Sequence, residues 1–218
     1  MATTAVLSSS FTCGWRKLPI ETKLEVLSHL LPQNVFLPAA FLSETWRRTG
    51  PMARTQVGNC TVSLLGLLLE HPDFANPARD YFYGKNIFMV KAHASGHDAP
   101  VPWLATSIQH VKIAIFPNLA DWLWLANFAK GNMGMGHLRS LEIVIDLRRL
   151  VEHIAEFVAE IDATCSIVFD AKDLTVSWAM WAWNCYTEDY HRLGGLAARM
   201  SAHLMRRADI HAPLAGKV

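Results

Sequence analysis

The fold is decided by two stretches of the same pattern, IQHVKI at residues 108–113 and LRSLEI at residues 138–143. In both stretches apolar side chains occupy the first, fourth and sixth positions, and the two begin 30 residues apart. Each stretch predicts a strand. Between them the sequence predicts a helix over residues 118–130 and a glycine-rich turn over residues 131–136. This repetition of strand and helix favours a parallel sheet with right-handed crossovers.

The strand–helix unit continues after the second strand. The sequence predicts a helix over residues 147–161, a third strand over residues 165–169 and a helical segment from Leu174 onward. The third copy of the strand pattern is degenerate, because Asp170 falls where an apolar residue is expected. The spacing is that of a leucine-rich-repeat-like array. A short solenoid and a generic open parallel α/β layer both remain open, within a fold of the α+β or α/β class.

A different organisation precedes these units, at residues 17–50. Four apolar residues spaced by four, three and four predict one amphipathic helix: Ile20, Leu24, Leu27 and Leu31. Pro19 suits the first turn of this helix and Pro32 ends it. Leu37 and Pro38 are predicted to open a second helix. Two or three helices this short bury little surface alone, so they need a partner or the rest of the chain.

Residues 17–50 resemble an F-box, the short helical module that docks a substrate receptor onto the Skp-type adaptor of a cullin-RING ubiquitin ligase. The resemblance rests on a Leu-Pro start, the first helix and an L-S-x-x-W-R close: Leu18, Pro19, Leu24, Leu27, Leu30, Pro32, Leu42, Ser43, Trp46 and Arg47. It implies a set of adaptor-binding residues: Leu18, Pro19, Leu24, Leu27, Leu30, Leu31, Pro32 and Trp46.

A second resemblance lies in ARDYFYGKNIFMV, residues 78–90. This stretch is similar to the A…LFYGxNxFxF element of a large set of filamentous-fungal proteins of largely unknown function. Those proteins also begin with an L-P-x-E helix and carry an I-x-H-V/L-x-I strand, which residues 108–113 match. Together the two resemblances cover roughly residues 17 to 115 and imply an F-box-like fungal protein.

Composition sets the class of protein. Apolar residues make up 51% and charged residues 18% of the 218 residues, which is typical of a globular chain. A formal charge of +1 argues against a nucleic-acid-binding surface, and no apolar run is long enough to cross a membrane. The four cysteines show no C-x-x-C spacing and predict reduced thiols in an intracellular protein, cytoplasmic or nuclear.

Four parts follow from these patterns. They are a disordered N-terminus at residues 1–16, the F-box-like module at 17–50, a helical connection with one strand and a polar loop at 51–102, and a strand–helix repeat domain at 103–218.

The sequence predicts no catalytic, cofactor-binding or metal-binding residues. His93 and His97 have helix-type metal spacing but sit in a glycine-bearing loop without a third ligand. Tryptophans are enriched at interfaces, so Trp178, Trp181 and Trp183 are candidate partner-binding residues, the first two on one predicted helix face.

Two main hypotheses of function result. The first is a non-enzymatic F-box-like adaptor or protein-interaction protein, a substrate receptor that binds a Skp-type adaptor and an unknown protein substrate. The alternative is one compact structural or interaction domain in which the apolar stripe of the first helix is buried and no adaptor docks. A third, less favoured hypothesis is an enzyme with a site near residues 93–98.

Overall fold

A computed structural model describes residues 9–38, 54–57, 60–92, 105–135, 138–148, 154–163, 166–179 and 187–207. These residues form a mixed α/β fold. The helices are α1 (Ser9–Lys17), α2 (Ile20–Leu30), α3 (Leu64–Glu70), α4 (Pro72–Lys85), α5 (Leu119–Ala129), α6 (Ile154–Ala163) and α7 (Thr187–Ala202). The strands are β1 (Phe36–Pro38), β2 (Arg54–Val57), β3 (Cys60–Ser63), β4 (Ile87–Lys91), β5 (His110–Ile115), β6 (Leu138–Asp146), β7 (Ile167–Phe169), β8 (Ala171–Ala179) and β9 (Leu204–Arg206).

A five-stranded sheet organises the molecule, in the order β1-β4-β5-β6-β8. Every pairing within it is parallel, and each strand lies beside the sheet strand that precedes it in the chain. The prediction of a parallel sheet built from strand–helix units is therefore confirmed. Two small sheets accompany it, an antiparallel pair of β2 and β3 and a parallel pair of β7 and β9.

One face of the five-stranded sheet forms the core. Successive side chains of a strand point to opposite faces, and one alternate set is buried. Across β4, β5 and β6 this set comprises Phe88, Val90, Val111, Ile113, Ile115, Leu141, Ile143 and Ile145. Helix α5 adds Trp122 and α6 adds Phe157 to the same core, with the two rings edge to face and their centroids 6.4 Å apart. Helices thus accompany this face of the sheet.

The two N-terminal helices pack into the same core, through α4. Trp15 of α1 stacks on Phe74 of α4 with ring centroids 4.4 Å apart, and Arg16 Nε donates to Asp73 Oδ1 at 2.8 Å. Residues 9–16 are therefore helical, and the prediction that they are disordered was wrong. The missed signal is Trp15, whose large apolar ring has a buried partner far along the chain.

The element at residues 78–90 holds the start of the sheet together. Asn86 is fully buried, and its Nδ2 donates to the carbonyls of Phe82 (2.8 Å) and Pro32 (3.0 Å). Its Oδ1 accepts from the Val35 amide at 3.2 Å. The turn from α4 to β4 is thereby joined to the segment that enters β1. In this chain the F-Y-G-x-N-x-F element has a structural role.

The first turns of α5 and α4 contain residues that favour the start of a helix. Helix α5 confirms the prediction for residues 118–130, and Asn118 caps it by accepting from the Asp121 amide at 2.9 Å. Pro72 lies at the first turn of α4, where a helix tolerates proline.

Other predicted elements differ from the observed ones. The helix expected from Leu37 is absent at Phe36–Pro38, which pair with β4 as a strand, and residues 39–50 lie outside the described part. The helix expected over 147–161 is described as α6 from Ile154 to Ala163.

The helical segment predicted from Leu174 onward is strand β8, so that prediction was wrong. Leu174 pairs with Leu141 and Val176 with Ile143 on the core side of β6. The third strand, expected over residues 165–169, is β7, which pairs with β9 outside the large sheet. The alternation in β8 was hidden by Leu174 and Trp178, whose spacing of four also suits a helix.

Candidate functional site

The second face of the five-stranded sheet is the candidate site. Two rows of residues cross all five strands in register: Phe36, Ile87, His110, Ser140 and Asp173 in the first, and Pro38, Met89, Lys112, Glu142 and Thr175 in the second. A shorter third row contains Lys91, Ala114, Val144 and Ser177. We call these three rows the open face. None of their described side chains belongs to the buried core.

One end of the open face is apolar. Phe36 is 50% exposed and Met89 is 37% exposed, and the partly buried Ile87, in the same strand as Met89, pairs with Phe36. The Nζ of Lys112 lies 5.4 Å from the centroid of the Phe36 ring, within the range of a cation–π interaction. An exposed apolar patch with a polar rim is typical of a surface that binds another molecule.

The centre of the open face is polar and internally paired. His110 Nδ1 lies 2.7 Å from Ser140 Oγ, and Lys112 Nζ donates to Glu142 Oε1 at 2.7 Å. Both pairs join β5 to β6. Burial lowers the pKa of His110 from its usual 6.5, and the positive charges of Arg139 and Lys85 lower it further. The imidazole is thus neutral at neutral pH, and its Nε2 faces no described protein partner.

The pair of His110 and Ser140 invites comparison with a base and its nucleophile. A working pair also needs a group that orients the base and donors for the oxyanion. Among the described residues no carboxylate contacts His110. The amides of Arg139 and Ser140 both donate to the Gln109 carbonyl, at 2.8 and 3.1 Å. Within the described part of the chain, the pair thus has neither an orienting carboxylate nor free oxyanion donors from these two amides.

The described residues contain no cluster of three or more metal-ligating side chains. His93, His97 and the rest of residues 93–98 lie outside the described part. Within that part, no helix combines the length and apolar character needed to cross a bilayer.

A separate pocket of about 190 Å³ lies between the end of α5 and β7. Its floor is apolar, and Arg207 faces Asp170 at its edge with 3.8 Å between Nη1 and Oδ2. Ligand pockets usually span about 300–1,000 Å³, so this one is too small to carry a functional assignment.

The predicted adaptor-binding residues are divided between the core and the surface. Leu27 and Leu31 are buried, with 0% and 3% exposure, and Leu18 and Leu24 pack partly buried against the same core. The remaining predicted residues lie nearer solvent or outside the description: Pro19 and Leu30 are exposed, Pro32 is partly buried, and Trp46 is not among the described residues. The structure therefore does not bring the predicted set together on one surface.

Of the three tryptophans predicted to bind a partner, the structure describes Trp178. Trp178 lies in β8 with 42% of its surface exposed, so it does not share a helix face with Trp181 as expected. Trp181 and Trp183 lie outside the described residues.

The open face itself was missed by the sequence interpretation. The overlooked signal was the set of positions between the apolar ones in IQHVKI and LRSLEI, which supply His110, Lys112, Ser140 and Glu142.

Comparison with known proteins finds no matching family model, no matching curated protein and no matching solved structure. The site's geometry is therefore the basis for a functional proposal.

Proposed function

We propose that the protein is a non-enzymatic protein-interaction protein, which binds a segment of a partner polypeptide across its open face. The observation that carries the proposal is an all-parallel sheet with two complete rows of residues in register on one face, whose described side chains are partly or fully exposed. Parallel sheets are usually covered on both faces. The open face of this parallel sheet therefore supports the proposal that a partner polypeptide covers it.

The order of the strands supports the same proposal. Each strand of the large sheet lies beside its predecessor, which is the arrangement of a solenoid. Solenoids use extended surfaces of this kind to bind partners. A leucine-rich-repeat-like architecture, in which the open face is the binding surface, is the form of the fold that we favour.

A selection from a random peptide library on the immobilised protein tests the proposal. Two matched substitutions separate the faces: Met89→Arg on the open face and Leu123→Arg on the outer side of α5, where Leu123 is 51% exposed. We expect selected peptides to lose at least about tenfold in affinity on Met89→Arg and to bind Leu123→Arg as they bind the wild type. Circular dichroism and thermal melting establish that both variants are folded. Failure to select any peptide, or equal binding to both variants, would refute the proposal.

Docking of a Skp-type adaptor at α2 is the second candidate function. Its structural support is the exposure of Ile20 and Leu30, two large apolar side chains of α2 that are 51% and 47% exposed. The burial of Leu27 and Leu31 supports the alternative hypothesis, in which α2 is part of one compact structure.

A pull-down with a purified Skp-type adaptor distinguishes the two hypotheses. The double substitution of Ile20→Asp with Leu30→Asp leaves the buried leucines intact, and Leu123→Asp is the matched control. If an adaptor docks at α2, the double variant loses binding and the control keeps it. If the folded wild type does not bind, the adaptor hypothesis is wrong.

A further inference from the structure

The size of the open face limits what can occupy it. Five strands about 4.8 Å apart and strands of about six residues give a surface of roughly 19 by 20 Å. That area, about 400 Å², is half of the roughly 800 Å² that each partner buries in a stable interface between globular proteins. A short segment fits this surface better than a globular domain or a second copy of the chain.

The charge on and around the open face is predominantly positive. Lys112 and Glu142 neutralise each other. Lys85, Lys91 and Arg139 are exposed and outnumber the exposed Asp173 of the first row, and in the described part of the chain none of these three cations forms an ion pair. The pKa of His110, at the centre of the face, is lowered first by burial and then by Arg139 and Lys85, so a positive field reaches the centre. Covering these cations with a neutral or basic segment would cost desolvation without compensation.

Resting on the proposed function, we propose that the occupant is a short acidic segment of another protein that also carries a large apolar side chain. The apolar side chain packs on Phe36 and Met89, at the apolar end of the face. The carboxylates of the segment face Lys85, Lys91 and Arg139. Opposite charge at this surface speeds association and selects acidic sequences over others, because like charges repel.

The test uses three fluorescein-labelled dodecapeptides that share their leucines and differ in the intervening residues, which are Glu, Gln or Lys. Fluorescence anisotropy measures their affinity for the full chain. We expect the Glu peptide to bind at least about fivefold more tightly than the Gln peptide and the Lys peptide to bind most weakly. Raising the salt from about 50 to about 300 mM weakens the Glu peptide most, because screening acts on exposed charges.

Two matched substitutions test whether the charge effect comes from cations beside the open face. Arg139→Glu changes a cation beside the open face, whereas Arg192→Glu changes an exposed cation of α7. We expect Arg139→Glu to weaken the Glu peptide about fivefold or more and Arg192→Glu to change it by less than about twofold. The same Arg139→Glu substitution strengthens binding of the Lys peptide.

The outcomes separate this inference from the proposed function. If the Gln or Lys peptide binds best and Met89→Arg abolishes that binding, the acidic partner is refuted and the open face remains a binding surface. If Met89→Arg leaves the binding of every peptide unchanged, both proposals are refuted. If none of the three peptides binds the folded chain, the acidic segment is refuted, and the library selection alone decides the proposed function.

Discussion

The contact between α1 and α4 permits a quantitative prediction. Pro77 lies inside α4 and has no N–H to donate to the carbonyl of Asp73, four residues earlier. The indole N–H of Trp15 donates to that same carbonyl at 2.9 Å. A side chain 58 residues away thus makes the hydrogen bond that the helix itself cannot make.

The substitution Trp15→Phe removes this donor while retaining an aromatic ring against Phe74. A buried acceptor left without a partner costs about 1–3 kcal/mol, and this partly buried carbonyl falls toward the lower end of that range, in addition to the loss of packed surface. Pro77→Ala supplies a backbone N–H that can donate to the Asp73 carbonyl. In that background Trp15→Phe costs only the lost packing. The two substitutions are therefore coupled by about 1–2 kcal/mol.

A double-mutant cycle measured by urea unfolding tests this coupling. A difference of about 1.5 kcal/mol corresponds to a shift of about 3–6 °C in Tm for a chain of this length. Trp124→Phe, on α5, is the control and should add to Pro77→Ala without coupling, because its ring packs on Phe128. If Trp15→Phe costs the same in both backgrounds, the indole does not replace the missing backbone donor.

Three further predictions follow from single side chains. Asn86→Ala removes three hydrogen bonds and should lower the free energy of unfolding by about 2–4 kcal/mol in urea titrations, against less than about 0.5 kcal/mol for the exposed Asn127→Ala. On one helix, Leu27→Ala should cost about 2–5 kcal/mol and Leu30→Ala little, and equal costs would contradict the packing of α2. The pKa of His110 is lower in the folded chain than in the unfolded chain, so the unfolded chain binds a proton on this imidazole more readily. Stability therefore falls as the pH drops through about 6.5. His110→Gln should flatten this part of a Tm profile measured between about pH 5 and 8.

The elements that were predicted correctly have patterns that one helix or strand can explain alone. Strands β5 and β6 bury the apolar positions of IQHVKI and LRSLEI, and α5 has its own Asn118 cap. The elements that were predicted wrongly depend on contacts with residues far away in the sequence. Strand β8 is fixed by its pairing with β6, and α1 by the contact of Trp15 with Asp73. Sequence patterns near these residues do not contain that information.

The candidate site could be predicted in composition but not in position. Alternation along a strand shows that His110 and Lys112 share one face and that Ser140 and Glu142 share one face. It does not show which face the helices cover, nor that the two pairs lie in register, because both depend on how the strands associate. The predicted adaptor site failed to form one surface for a related reason. An amphipathic stripe such as that of Leu27 and Leu31 serves an internal core and an external partner equally well, and only packing on α4 decides between them.

The internal pairing of the open face affects what it can recognise. His110 pairs with Ser140 and Lys112 with Glu142 across β5 and β6, so part of the hydrogen bonding at the centre is kept when the face is covered, and His110 Nε2 is left to a partner. Discrimination between partners must then come from the groups left over, which are the apolar surface of Phe36 and Met89 and the cations around the rim. These lie toward the β1 and β4 edge and at the ends of the strands, so a partner segment would be held in one direction. A surface with a paired centre and an unpaired rim therefore favours a directional, salt-sensitive interaction with a short segment over a large and permanent interface.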